Sequence, residues 1–221
     1  MIKPLNALII EDHPMLTDNY KDALSLLPDH QFNVDIAHDA DTALIKIHSR
    51  DKLNFYDLIF LDIGLPPSKD KLITSGEDIG VELRKYFSQV KIIVITAYSE
   101  SYRLNNIIKN LNPEAFLIKC DIEFSDLVNA TKSVLKDYPY YSKTVLSIMR
   151  NQMSHDILLD NKDRTILYEL SMGTRMKELA EIVSLSIPGL EGRKQRLKEA
   201  FDVSHKNDRI LVEKARKAGF I

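Results

Sequence analysis

Apolar residues fall along this chain in two rhythms, and the rhythm changes once. In the first part, short apolar runs mark strands at Leu5–Ile10, Phe32–Ala37, Leu58–Leu61, Lys91–Ile95 and Ala115–Ile118. Between them apolar positions recur every three or four residues, the spacing of one helix face. Leu16, Tyr20, Ala23, Leu24 and Leu27 share such a face, as do Leu104, Ile107, Ile108 and Leu111. Phe124, Leu127, Val128, Thr131, Val134 and Leu135 form a third, with Ser125 near its start as a capping residue. This alternation predicts an α/β fold: a doubly wound, five-stranded parallel sheet with helices on both faces. Leu58–Leu61 and Ile92–Ile95 are apolar throughout, as strands buried on both faces are.

After Lys136 the strands stop. Tyr138-Pro139-Tyr140-Tyr141-Ser142 reads as a break, and Val145, Ile148, Met149 and Met153 then share one face of a short helix. From Leu159 onward only helical periodicity remains. Helices are expected over Leu159–Gly173, through Lys177–Val183, from about Pro188 to Phe201, and over Ser204–Gly219. The expected organisation is an α/β domain over 1–136, a linker with its own helix over 137–158, and a small all-α domain over 159–221.

Composition narrows the class. With 44% hydrophobic and 28% charged residues, the chain is not wholly disordered. No apolar run approaches the ~18–20 residues of a membrane span, and the N-terminus lacks a secretory pattern. A cytoplasmic protein without membrane contact is expected. The single cysteine, Cys120, excludes internal disulfides and a thiolate zinc site. The net charge of −2 is unevenly spread, with +3 over 159–221 and −5 over the rest. An acidic site and a nucleic-acid-facing module on one chain would give this asymmetry.

In an open parallel sheet, sites form beyond the carboxyl ends of the strands. There the first strand ends in Glu11-Asp12, the third in Asp62, the fourth in Thr96 and the fifth in Lys119. Clustered carboxylates repel one another unless a hard cation such as Mg²⁺ lies among them. An ionised Asp beside that ion can attack phosphorus, and Thr96 and Lys119 can donate to phosphoryl oxygens. Each residue alone has an ordinary role as turn former, strand residue or solvated lysine; their coincidence at successive strand ends points to phosphoryl chemistry. The first strand is not followed by an Asp-x-Asp pair, and no glycine-rich loop ends in Gly-Lys-Ser/Thr. A stand-alone hydrolase is disfavoured.

These residues resemble the receiver domain of bacterial two-component response regulators. The matching segments are Leu8–His13, Leu58–Pro66, Val94–Ala97 and Phe116–Lys119. The resemblance implies that Asp62 accepts phosphate from a sensor histidine kinase. It implies Mg²⁺ held by Glu11, Asp12, Asp62 and the backbone carbonyl of Gly64. Thr96 and Lys119 would sense the phosphoryl group, and Phe116 would be the aromatic that changes rotamer. Receivers place a glycine soon after the Leu-Pro that follows the acceptor; here Pro66 is separated from Gly76 by nine residues, an insertion expected to be a surface loop.

The C-terminal part resembles the LuxR-type helix-turn-helix output domain, through Gly173, Lys177-Glu178-Leu179-Ala180, Leu185-Ser186, Leu197, Val203 and Ala218-Gly219. That implies DNA binding, transcription control, and a homodimer on phosphorylation that meets paired half-sites. The recognition helix departs from the family, which has Thr-Val-Lys where this chain has Gly189, Leu190 and Glu191. The expected DNA contacts are Gly189, Glu191, Gly192, Arg193, Gln195, Arg196 and Lys198. The alternative is a phosphorylation-controlled protein-interaction module whose helical domain no longer binds DNA.

Overall fold

The computed structural model describes residues 4–50, 55–153 and 159–221, without the side chains of 151–153. The chain divides into two units, one of residues 1–99 and 106–146, the other of 100–105 and 147–221.

The first unit is built on six parallel strands: β1 (Leu5–Ile10), β2 (Phe32–Ala37), β3 (Leu58–Asp62), β4 (Lys91–Thr96), β5 (Ala115–Ile118) and β6 (Tyr140–Tyr141). Their order is β2-β1-β3-β4-β5-β6. Helices α1 (Pro14–Ser25), α2 (Ala40–His48), α3 (Gly76–Tyr86), α4 (Ser101–Leu111) and α5 (Phe124–Leu135) alternate with the first five strands. β3 is buried along its whole length, and β4 along all but its first residue. Ala7, Ile9, Phe60, Ile93, Ile95 and Leu117 pack under α1 and α5. The alternate residues Leu8, Ile10, Ile59, Leu61, Val94 and Phe116 point to the opposite face and are fully buried. Each such aliphatic side chain contributes roughly 1.5–3 kcal/mol on burial.

Polar residues set the helix starts. Asp39 accepts from the Thr42 amide at 2.7 Å, and Ser75 from the Glu77 amide at 3.3 Å. α5 begins one residue before Ser125, in a capping box between Glu123 and Asp126, so Ser125 is not the cap. The longer reach of Glu123 to the N3 amide takes that role.

The five-stranded expectation is corrected by β6. The Tyr140 and Ser142 amides donate to the Glu114 and Phe116 carbonyls, each at 3.0 Å, and the Ile118 amide donates to Ser142 Oγ at 3.2 Å. A two-residue strand beside Pro139 carries no periodicity to read, and its partner lies over twenty residues away. Residues 137–146, read from sequence as linker, thus belong to the first unit. α6 (Lys143–Met153) follows, with Val145 buried. Ile148 is buried with Val145 and Met149 is half-buried, whereas Met153 and residues 154–158 lie outside the described side chains.

The inserted loop is ordered by its own hydrogen bonds. Ser68 is buried, its amide donates to the Ile73 carbonyl at 2.9 Å, and its hydroxyl donates to Asp70 at 2.6 Å. Gly76 closes it onto the sheet: a Cβ there would collide with the carbonyl oxygen of Asp62.

The second unit holds α7 (Asn161–Met172), α8 (Met176–Ile182), α9 (Ile187–Ala200) and α10 (Asp208–Lys217). Ile166, Leu167, Leu179, Leu190, Leu197, Leu211 and Phe220 form its core. Asp160 and Asp163 make a capping box on α7, and Gly173 ends that helix in the left-handed region at φ 80°. Ser186 caps α9 one residue ahead of Ile187, and Asn207 caps α10, which therefore starts later than the sequence suggested.

Candidate functional site

The carboxyl ends of β1, β3, β4 and β5 bring Glu11, Asp12, Asp62, Thr96 and Lys119 together. Glu11 is completely buried and Asp62 is 4% exposed. Lys119 Nζ lies between them, donating to Asp62 Oδ2 at 2.9 Å and to both Glu11 oxygens at 2.9 and 3.2 Å. Burial pulls the Lys119 ammonium down, but hydrogen bonds to Asp62 and Glu11, with their charges, more than offset this and raise its pKa. Lys119 is thereby held as a cation against two anions.

Asp62 Oδ1 accepts from the Gly64 amide at 2.9 Å, which fixes the carboxylate plane. Thr96 is fully buried, and its hydroxyl accepts from the Tyr98 amide at 3.2 Å. Phe116 is buried mid-strand on β5, two residues before Ile118, whose Cα pairs with that of Thr96.

A divalent cation suits this donor set. Glu11, Asp12, His13 and Asp62 each offer a ligand atom, all within 4.8 Å of one another. Asp12 Oδ1 is buried and accepts no hydrogen bond. His13 Nδ1 approaches that oxygen at 2.9 Å as an ion pair, but it also reaches Glu11 Oε1 at 3.0 Å. The hydrogen bond to Glu11 and the Asp12 charge raise the His13 pKa. A buried carboxylate oxygen that shares one histidine with Glu11 and faces two further carboxylates is the arrangement a hard cation relieves.

Sequence reasoning missed three neighbours. Tyr20, assigned only to the apolar face of α1, donates its hydroxyl to Glu11 Oε2 at 3.1 Å. His13 is the second, and His38 Nδ1 donates to the Glu11 carbonyl at 2.9 Å. A tyrosine at a core position needs a partner for its hydroxyl, and that was the available signal.

In the second unit, Gly192, Gln195, Arg196 and Glu199 point outward on α9, and Gly189 and Glu191 are exposed as well. Arg193 and Lys198 are not free for phosphates. Arg193 binds Asp160 at 2.6 Å and Asp163 at 2.7 Å; Lys198 binds Asp208 at 2.8 Å and the Lys206 carbonyl at 2.9 Å. Lys194 also binds Asp208, at 2.7 Å. The cations of α9 thus mostly hold the helix to its neighbours, because Asp160, Asp163 and Asp208 cap or open the adjoining helices. Gln195 donates to Glu199 at 3.2 Å.

The first unit is thus a parallel α/β sheet with an acidic cluster, a buried Thr and a Lys at its carboxyl edge. The family model of the response regulator receiver domain matches residues 7–132, and the chain belongs to that family. The chain is 29% identical over 198 residues to the virulence factors putative positive transcription regulator BvgA of Bordetella pertussis, covering 86% of this chain and 87% of that one. It is 25% identical over 192 residues to the Fimbriae Z protein of Salmonella typhimurium, covering 84% of each. The structure of RcsB from Salmonella enterica serovar Typhimurium bound to promoter P1flhDC superposes with a TM-score of 0.64 at 18% identity, over 99% of this chain and 100% of that one. That likeness extends the shared fold through both units.

Proposed function

We propose that this chain is a two-component response regulator that takes a phosphoryl group onto Asp62 from a sensor histidine kinase and controls transcription by binding DNA. One observation carries the reading: Asp62 and Glu11 share the Lys119 ammonium, and Asp12 offers a third carboxylate oxygen within 4.8 Å of theirs. Glu11, Asp12, Asp62 and the Gly64 carbonyl are the groups that would hold Mg²⁺. The bound ion supplies charge neutralisation at the phosphoryl oxygens.

An Asp62 oxygen attacks the phosphorus of a phosphohistidine. The O–P bond forms as the P–N bond breaks, and the imidazole nitrogen leaves with the electron pair. Lys119, already on Asp62, shifts its donors to the phosphoryl oxygens, and the Thr96 hydroxyl donates to the same group. Phe116 follows by rotamer change, biasing two conformations of the domain toward one. Homodimerisation would then present two helical units to paired half-sites in the cytoplasm. Gly189, Glu191, Gly192, Gln195 and Arg196 form the face that would meet DNA, with Arg193 and Lys198 supporting it from within.

The engaged cations and the exposed Glu191 and Glu199 favour a second reading, in which the helical unit contacts protein instead. Incubation with a small phosphodonor and Mg²⁺ tests the acceptor: one acid-labile phosphoryl group should appear, and Asp62→Asn should abolish it. A random-oligonucleotide selection with and without phosphorylation separates the two readings of the helical unit.

A further inference from the structure

We infer that Tyr20 is a positioning residue for the cation site, holding the Glu11 carboxylate in place through its hydroxyl. The inference rests on the proposed reading of this acidic cluster as a Mg²⁺ site. Tyr20 is 4% exposed, and its hydroxyl donates to Glu11 Oε2, the oxygen that also takes Lys119 at 2.9 Å. Its ring is stacked on Phe60, with centroids 5.4 Å apart and planes at 11°. Phe60 precedes Asp62 by two residues on β3, and it lies beside Ile9 on β1, two residues before Glu11. One side chain from α1 therefore contacts the strand that carries Asp62 and the carboxylate that ends the neighbouring strand.

The contact has an electrostatic consequence. Glu11 is wholly enclosed, with Asp12 and Asp62 as anionic neighbours, so its orientation is set by the donors it meets. Oε1 takes His13 Nδ1 at 3.0 Å and Lys119 at 3.2 Å; Oε2 takes Lys119 and Tyr20. Without the hydroxyl, Oε2 keeps Lys119 alone. The carboxylate then turns toward the ammonium and draws it from Asp62, and the geometry offered to a cation loosens. A purely apolar residue at position 20 would fill the same space against Phe60 and leave this oxygen short of a donor. The hydroxyl, rather than the ring, is what the site uses.

The test is Mg²⁺ affinity of the full chain, measured by titration calorimetry at neutral pH, with thermal unfolding in EDTA as the check on folding. Tyr20→Phe keeps the ring and should weaken Mg²⁺ binding roughly three- to tenfold, the effect of losing one hydrogen bond to a charged group that is only partly replaced. In a Glu11→Gln background the same substitution should change the affinity by less than about twofold, since the two residues act as one unit. Tyr20→Leu, which also removes the ring, should bind Mg²⁺ as weakly as Tyr20→Phe. Equal affinity of parent and Tyr20→Phe overturns the inference, as does a loss that persists in the Glu11→Gln background. A loss in Tyr20→Leu without one in Tyr20→Phe also overturns it, because packing would then be the cause. If the parent binds no Mg²⁺, the metal-site reading itself fails and the inference falls with it.

Discussion

The backbone amide of Ser142 donates to the carbonyl oxygen of Phe116 at 3.0 Å, joining the start of α6 to the strand that precedes Lys119. Asp121, two residues after Lys119, completes the joint. Its carboxylate accepts from the Thr144 amide at 2.7 Å, the Thr144 hydroxyl at 2.9 Å and the Ser142 hydroxyl at 3.0 Å. The edge of β5 is thus covered by the chain's own β6, which removes an open strand edge beside the site. A shift of β5 on phosphorylation would reach α6 through backbone hydrogen bonds.

Asp121→Ala tests that joint. The substitution removes a helix cap, worth about 1 kcal/mol, and frees the Ser142 hydroxyl from its acceptor. Amides over 142–146 should exchange faster with solvent while those of β1 and β3 stay protected. Unchanged exchange over 142–146 would show that the cap does not hold α6.

Gly76 and Gly192 should respond oppositely to alanine. At Gly76 a Cβ meets the Asp62 carbonyl oxygen and the Ile63 backbone, which cannot yield without moving the acceptor strand. Gly76→Ala should destabilise by about 1–3 kcal/mol in urea unfolding and slow phosphorylation of Asp62. At Gly192 nothing lies within 4 Å of the added methyl. Gly192→Ala should stabilise α9 by about 1 kcal/mol through helix propensity and leave phosphorylation unchanged.

Thr96→Ala separates chemistry from response. Thr96 does not touch the Asp62 carboxylate through any described hydrogen bond; its hydroxyl takes the Tyr98 amide. The variant should still be phosphorylated, yet its monomer–dimer equilibrium, followed by light scattering, should no longer respond. Dimerisation equal to the parent's would remove Thr96 from the sensing role.

The order of strand ends was legible because the apolar runs Ala7–Ile10, Leu58–Leu61, Ile92–Ile95 and Ala115–Ile118 are each closed by polar residues. Glu11-Asp12, Asp62, Thr96 and Lys119 could therefore be placed on one edge without coordinates. β6 was illegible because Tyr140 and Tyr141 have no period, and only Glu114 and Phe116 reveal their partner. Tyr20 was legible as a core position, but the aim of its hydroxyl depends on how α1 lies across β1. Arg193 was legible as a charge on the correct helix. Its capture by Asp160 and Asp163, some thirty residues earlier, is a tertiary fact that helical spacing does not contain.

Those ion pairs give the helical unit an acid sensitivity. Burial opposes the charge on Asp208, but Lys194 and Lys198 outweigh it and hold its carboxyl below the usual range; Arg193 and the Asp163 amide do the same for Asp160. A carboxyl whose pKa is lowered by folding adds stability above its unfolded value, near 3.9, and loses it as pH falls through the depressed value. The helices of 159–221 should therefore lose thermal stability below about pH 4. Asp208→Asn should flatten that dependence. Both side chains are over a third exposed, so salt near 1 M should weaken the effect.

Substituting Glu191 tests how α9 is used. It lies on the exposed face with Gly192, Gln195 and Arg196, and Arg196 is exposed without an ion pair among the described residues. If α9 enters the major groove, a carboxylate near its N-terminal end repels phosphates unless it accepts from a cytosine amino group. As an electrostatic burden, Glu191→Lys should tighten binding to all sequences and steepen the salt dependence by about one ion per site. As a base reader, Glu191 should instead supply ~1–3 kcal/mol of discrimination at one position, lost in the variant. Arg196→Ala provides the matching control, weakening binding and lowering the salt slope by about one if Arg196 meets a phosphate. Should neither substitution change affinity, salt slope or sequence preference, α9 does not dock on DNA. Its glycines and carboxylates would then be read as a surface for protein.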